Sequence, residues 1–317
     1  METKINISNF WTRVWALLID SIVLGVFGFL MGLTIQDYLV RIGSYGLLIG
    51  LIITIGYQTI CNSKIANGQT IGKRVMDIHV VDINGNNIGI GKSFLRAFIL
   101  SFPYFTFNLS IPGLSDTSLI SLIKTFILFS IVMGVVVIYI FNRQTRQSLH
   151  DLVVDTFVAT TVENENLAPI PSVTKTPFLV FGGLLVLGLG LSVYAANWST
   201  PELKNGWNIY TKVAAIDGVL SAGINENTNY INNSKTRTYS ANLWVEVLPD
   251  DNLEEDKMVR EAVQIILRDV PDIHNFDIIV IALNRGFNIG IASKNSTRTL
   301  VYSPAKWREI LQKKTNP

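Results

Sequence analysis

Charge is scarce in this sequence. Of its 317 residues only 16% are Asp, Glu, Lys or Arg, against about 25% in a soluble domain. Cysteine is nearly absent: a single Cys61 excludes an intrachain disulfide framework and a cysteine-cluster metal site. The three histidines, His79, His150 and His274, lie too far apart to draw a zinc site by spacing, so no metal or other cofactor is expected. No long basic run accompanies the formal net charge of +2, which speaks against nucleic acid as a partner.

What is present is apolar: 49% of the residues are hydrophobic, and much of that total falls in long runs. A helix needs about 20 mostly apolar residues to cross a hydrocarbon core of roughly 30 Å. Val14–Ile35, Gly43–Cys61, Leu119–Phe141 and Phe178–Ala196 meet that length. The first is too long for the core of a signal peptide and reads as a retained anchor. Ser93–Pro112 is ambiguous, with Arg96 near its start and Pro103 in its middle; it either spans or lies at the interface. If it spans, Lys4, Arg13, Lys64, Lys73, Arg74, Lys92, Arg96, Arg143, Arg146 and Lys175 all fall on one side of the membrane. The excess of cations on cytoplasmic loops then predicts five crossings, with the N-terminus in the cytoplasm and the C-terminus outside.

Two regions break the apolar pattern. Between the second and third runs, "VMDIHVVD" and "NIGI" flank Asn84-Gly85-Asn86, which reads as a β-hairpin insert on the cytoplasmic side. Residues 163–177 read as a linker by their proline and polar content. From 198 to 317 the chain carries mixed charge and no spanning run. There "ANLWVEVLP" reads as a strand, Asp251–Val270 as an amphipathic helix, and "DIIVIAL" and "NIGIAS" as a hairpin around Asn284-Arg285-Gly286. Ser303-Pro304 starts a last helix,. Trp198, Trp207 and Tyr210 fit an interfacial aromatic belt. The expected architecture is therefore an α-helical multispanning domain followed by a small extracytoplasmic α+β domain.

Three stretches in order, "RVWALLID", "GQTIGKRVMDIHVVDINGNNIGIGKSFLRAFI" and "RQSLHDLVVDT", resemble the RDD family of multipass bacterial membrane proteins. The family is named for one arginine and two aspartates. The resemblance covers about residues 8–162, followed by a further span at 178–197 outside it. It places Arg13, Asp20 and Asp151 at the family's named positions, departs at Asp155, where a small residue is usual, and implies transport of ions or small ligands across a bacterial inner membrane.

The candidate residues follow from cost. A carboxylate at depth in lipid costs on the order of 3 kcal/mol on insertion scales, so Asp20 needs compensation. Arg13 is about 10 Å away along the same helix and has lipid phosphates within reach, whereas Arg96 enters at comparable depth and is the expected partner. Arg13, Asp20, Arg96 and Asp151 form the expected polar core, for an ion or small solute or as a structural lock. "GQTIGKR" lacks the spacing of a phosphate loop and reads as a turn that sets Lys73 and Arg74 at anionic headgroups. His150 and Asp151 are adjacent, do not face each other on a helix and make no catalytic dyad. The expected protein is non-enzymatic. Membrane lipids surround it, and its outer domain, with an edge such as "RTLVY", is free to engage a protein. The alternative to transport is an anchored binding or assembly module.

Overall fold

The computed structural model describes residues 5–107, 109, 119–161, 174–196, 201–231, 234–249 and 252–313. Most of the expected linker, together with Pro112, Trp198 and Asp251, lies outside them. The chain divides into two compact units. One comprises Met1–Leu33, Ser44–Trp198 and Ile289–Ala292; the other comprises Thr34–Gly43, Ser199–Asn288 and Ser293–Pro317.

The first unit is built on long apolar helices: α1 (Phe10–Thr34), α3 (Gly46–Cys61), α5 (Ile90–Thr106), α6 (Leu119–Phe141) and α8 (Thr176–Ala196). Phe10–Thr34, Gln36–Cys61 and Ile120–Phe141 are long and apolar enough to cross a membrane, and Thr176–Leu191 is a shorter apolar stretch. The second of these includes α2 (Gln36–Ile42). Helix α5 covers the first part of the ambiguous segment. It is 17 residues long, buries Ser93, Arg96 and Ala97, and contains Pro103. In α6 the Lys124 Nζ donates to the Leu109 carbonyl at 2.7 Å.

A small cap closes one end of this helical assembly. It contains α4 (Ile71–Val75), β1 (Ile78–Asp82), α7 (Leu149–Val153) and β2 (Thr156–Thr160). Strand β1 pairs antiparallel with β2, Ile78 opposite Thr160 and Asp82 opposite Thr156. Along the other side of β2 runs the N-terminal segment, through Ser8 N to Val158 O at 2.9 Å and Thr160 N to Asn6 O at 2.8 Å. The expected insert hairpin is therefore corrected. Asn84–Asn86 does turn the chain, with Gly85 at φ 81° and Asp82 Oδ1 accepting from the amides of Asn84 and Asn86. Beyond the turn only an isolated Val81–Asn87 bridge forms, because Ile88 drops into a core with Ala16, Ile78, Val80 and Val158. The true partner comes some 75 residues later, in "TFVAT", whose first four residues are buried. A strand covered on both faces shows no alternation to read.

The second unit is a four-stranded sheet, β3 (Val219–Ile231), β4 (Ser234–Val245), β5 (Ile278–Asn288) and β6 (Ser293–Tyr302), ordered β3-β4-β5-β6. Strands β4 and β5 are parallel and connected through α10 (Lys257–Asp269). Asp256 caps α10 by accepting from Val259 N at 3.1 Å, so the helix starts later than the sequence suggests. Val259, Ala262, Val263 and Ile266 form its buried stripe. Helices α9 (Pro201–Ala214) and α11 (Pro304–Gln312) complete the core, with Trp307 fully buried and its Nε1 donating to Ile279 O at 3.2 Å. Ser303 caps α11 with proline in its first turn, as expected. The β5–β6 turn is not at Asn284–Gly286, which stays inside β5 paired with β6. Helix α2 also belongs to this unit: Leu39 and Val40 are buried, and Asp37 accepts from Arg285 Nη2 at 2.6 Å.

Candidate functional site

The four expected core residues all lie at the cap, but they form two separate clasps rather than one. Asp20 sits on α1 and is 3% exposed. Its Oδ2 accepts from Thr70 Oγ1 at 2.6 Å. Its Oδ1 accepts from Gly72 N at 2.8 Å and from the Tyr57 hydroxyl at 2.6 Å. Three neutral donors compensate the carboxylate, two of them from the start of α4.

This arrangement explains the "GQTIGKR" stretch residue by residue. Gly68 holds φ 70°, and a Cβ there would lie 2.6 Å from Val80 O. Thr70 caps α4, accepting from Lys73 N at 3.2 Å while donating to Asp20. A Cβ on Gly72 would lie 2.0 Å from the Ala16 carbonyl oxygen, so only glycine lets the α4 backbone close onto α1. The helix delivers a carboxylate-binding first turn to a membrane aspartate. Lys73 turns inward, its Nζ donating to Asn62 Oδ1, while Arg74 stays exposed. The two cations expected at headgroups therefore part company. Burial first, then the neighbouring Arg96, pushes the Lys73 ammonium down to about 7.

The second clasp is ionic. Asp151, in the first turn of α7, accepts with Oδ1 from Arg96 Nε at 2.9 Å and Nη2 at 2.7 Å. Its Oδ2 closes a capping box with Ser148 N at 3.2 Å,. Arg13 Nη1 stands 4.0 Å from Oδ2 and chiefly binds backbone and hydroxyl oxygens: Nη1 to Arg146 O at 2.7 Å, Nε to Ser8 Oγ at 2.8 Å and Nη2 to Val158 O at 3.2 Å. One guanidinium thus ties α1 to the loop before α7 and to β2. Burial alone would raise the Asp151 carboxyl, but the adjoining cations, Arg96 foremost, hold it well below the usual carboxylate range. Burial pushes His150 down to about 4, so its imidazole is neutral at pH 7. Asp155, the departure from the family pattern, is exposed and holds φ 52°, a left-handed turn that aspartate tolerates.

The expected Asp20–Arg96 pair is corrected accordingly. Arg96 belongs to Asp151, and Asp20 is served by Thr70, Gly72 and Tyr57, residues that charge-matching along the sequence passes over.

Apolar helices of membrane-spanning length, carrying a buried arginine–aspartate cluster under a small cap, define an integral membrane protein of the polytopic helical class. The family model described as RDD family matches residues 7–155, so the N-terminal region of this chain is similar to the RDD family. No curated protein and no solved structure matches the chain.

Proposed function

We propose that this protein is a non-enzymatic, membrane-anchored binding module. In this reading the arginine and aspartates that name the family lock the cap onto the bundle, and the C-terminal sheet engages a protein partner. One observation carries it: both buried carboxylates have their oxygens taken by protein donors, three on Asp20 and Arg96 with the Ser148 amide on Asp151, where Arg13 stands 4.0 Å off. A transported ion would have to displace these bonds. Five crossings of a bacterial inner membrane, α5 included, put the cap and its cations in the cytoplasm by the positive-inside rule. An odd number of crossings from a cytoplasmic N-terminus puts the C-terminal domain outside. Strand β6 ends the sheet and leaves Val301 about half exposed, an edge that suits an extended segment of a partner.

The test pairs two readouts on the full chain. A photo-crosslinker at Val301 in cells should capture a discrete protein, and proteoliposomes should show no cation flux above empty vesicles. Flux abolished by Asp20→Asn in a folded protein would overturn the reading. Transport of an ion or small solute is the second reading because the Thr54, Thr59 and Tyr139 hydroxyls are buried without a hydrogen-bond partner among the described residues, a pattern that would suit a polar path.

A further inference from the structure

The cap exposes large apolar side chains beside unpaired cations. Ile65 is 63% exposed, Val75 61%, Ile90 52% and Ile71 47%. Lys64, Arg74 and Lys92 are exposed beside them, and none has an ion-pair partner among the described residues. These groups are gathered at helix ends. Lys64 N donates to Ile88 O at 2.8 Å, which brings Lys64-Ile65 beside the start of α5, where Ile90 and Lys92 lie. Ile71 and Val75 are one turn apart on α4, with Arg74 on the same face. Helix α4 is in turn held at the end of α3 by Ile71 N to the Tyr57 hydroxyl at 3.0 Å. The neighbouring carboxylate of Asp82 is occupied by its own turn.

We propose that this rim is a docking surface for anionic phospholipid. Ile65, Ile71, Val75 and Ile90 enter the acyl boundary while Lys64, Arg74 and Lys92 bind headgroup phosphates. The ends of α3 and α5 set the rim where an apolar span meets water. A water-facing rim would leave these four side chains uncovered, and a headgroup layer satisfies both halves of the pattern at once. Each cation near an anionic surface contributes about 1 kcal/mol, roughly fivefold in affinity. Lys73, turned to Asn62, takes no part.

The probe is phosphatidylglycerol in nanodiscs, with phosphatidylcholine as the neutral control. Full-length protein released for native mass spectrometry should retain phosphatidylglycerol in preference to phosphatidylcholine. Each of Lys64→Gln, Arg74→Gln and Lys92→Gln should lower that retention about fivefold. Lys235→Gln, Lys257→Gln and Arg308→Gln in the second unit should leave it unchanged. Equal loss from both sets, or none from the first, overturns the proposal. Spin labels at Ile65 and Val75 in a Cys61→Ala background give a readout that does not depend on retained lipid. Collisions with oxygen exceeding those with a water-soluble nickel reagent support insertion. Labels reached only by the nickel reagent would show a water-facing surface, suited to a protein partner, and would sink the lipid assignment.

Discussion

Asp20 and Asp151 bear the same charge, are almost equally buried and serve the same cap, yet the chain compensates them by different means. Asp151 meets cations: Arg96 at 2.7 Å and Arg13 at 4.0 Å. Asp20 meets neutral dipoles: two hydroxyls and the Gly72 amide. The ionic clasp joins α5 to α7 through long side chains. The neutral clasp joins α1 to α4 by bringing two backbones together at a glycine. A buried carboxylate therefore need not be hydrogen-bonded by a cation, even with the Lys73 ammonium turned inward nearby; the first turn of a short helix with a capping hydroxyl serves as well.

The sharpest way to break this comparison is to remove one side of the ionic clasp. Arg96→Gln leaves Asp151 buried with Arg13 as its remaining, more distant cation, and should destabilise the folded protein by about 3–5 kcal/mol, measured as unfolding in mixed micelles. Gly72→Ala attacks the neutral clasp sterically. The added Cβ meets backbone at 2.0 Å, and overpacking of this kind costs about 1–3 kcal/mol. Asp20→Asn removes the charge but keeps an oxygen for Gly72 or Thr70, so a loss of about 1–2 kcal/mol is expected. Thr70→Val, which deletes a cap and one donor, should cost about 1 kcal/mol.

Acid separates the clasps differently. The folded state keeps His150 neutral down to about 4, while an unfolded chain takes up that proton near 6.5. Stability should therefore fall as pH drops through that window, and His150→Gln should flatten the slope. The depressed Asp151 carboxyl acts with the same sign at lower pH. Its contribution is complete above the ordinary carboxylate range and is lost as pH falls toward its folded value. A slope between pH 6.5 and 4 unchanged in His150→Gln would contradict the neutral, buried imidazole.

Much of this molecule was legible in its sequence for a physical reason: transfer into lipid depends on composition, so α1, α3 and α6 announce themselves as apolar runs. Cap signals were equally plain at Ser303-Pro304, where local chemistry decides a helix start. The pairing of β1 was not legible. Its nearest apolar neighbour, "NIGI", offered a local hairpin, but the ladder went to a distant strand buried on both faces. The Asp20 partners were missed because hydroxyls and a glycine amide carry no charge to match. The one signal in the sequence is the spacing Gly68, Thr70, Gly72, a turn, a cap and a close approach in a stretch that lacks the spacing of a phosphate loop. Arg96 is legible as a cation at depth but its carboxylate is not, since depth along a helix says nothing of which neighbour it faces; it binds Asp151, not Asp20.

The central claim, that the two carboxylates belong to independent clasps, is tested most directly by a pair of double-mutant cycles sharing Arg96. Arg96→Gln with Asp151→Asn should be strongly non-additive, the double variant less destabilised than the sum of the singles by more than about 1 kcal/mol. Arg96→Gln with Asp20→Asn should add to within about 0.5 kcal/mol. Coupling of Arg96 to Asp20 as large as its coupling to Asp151 would contradict the account and restore a single shared ionic core.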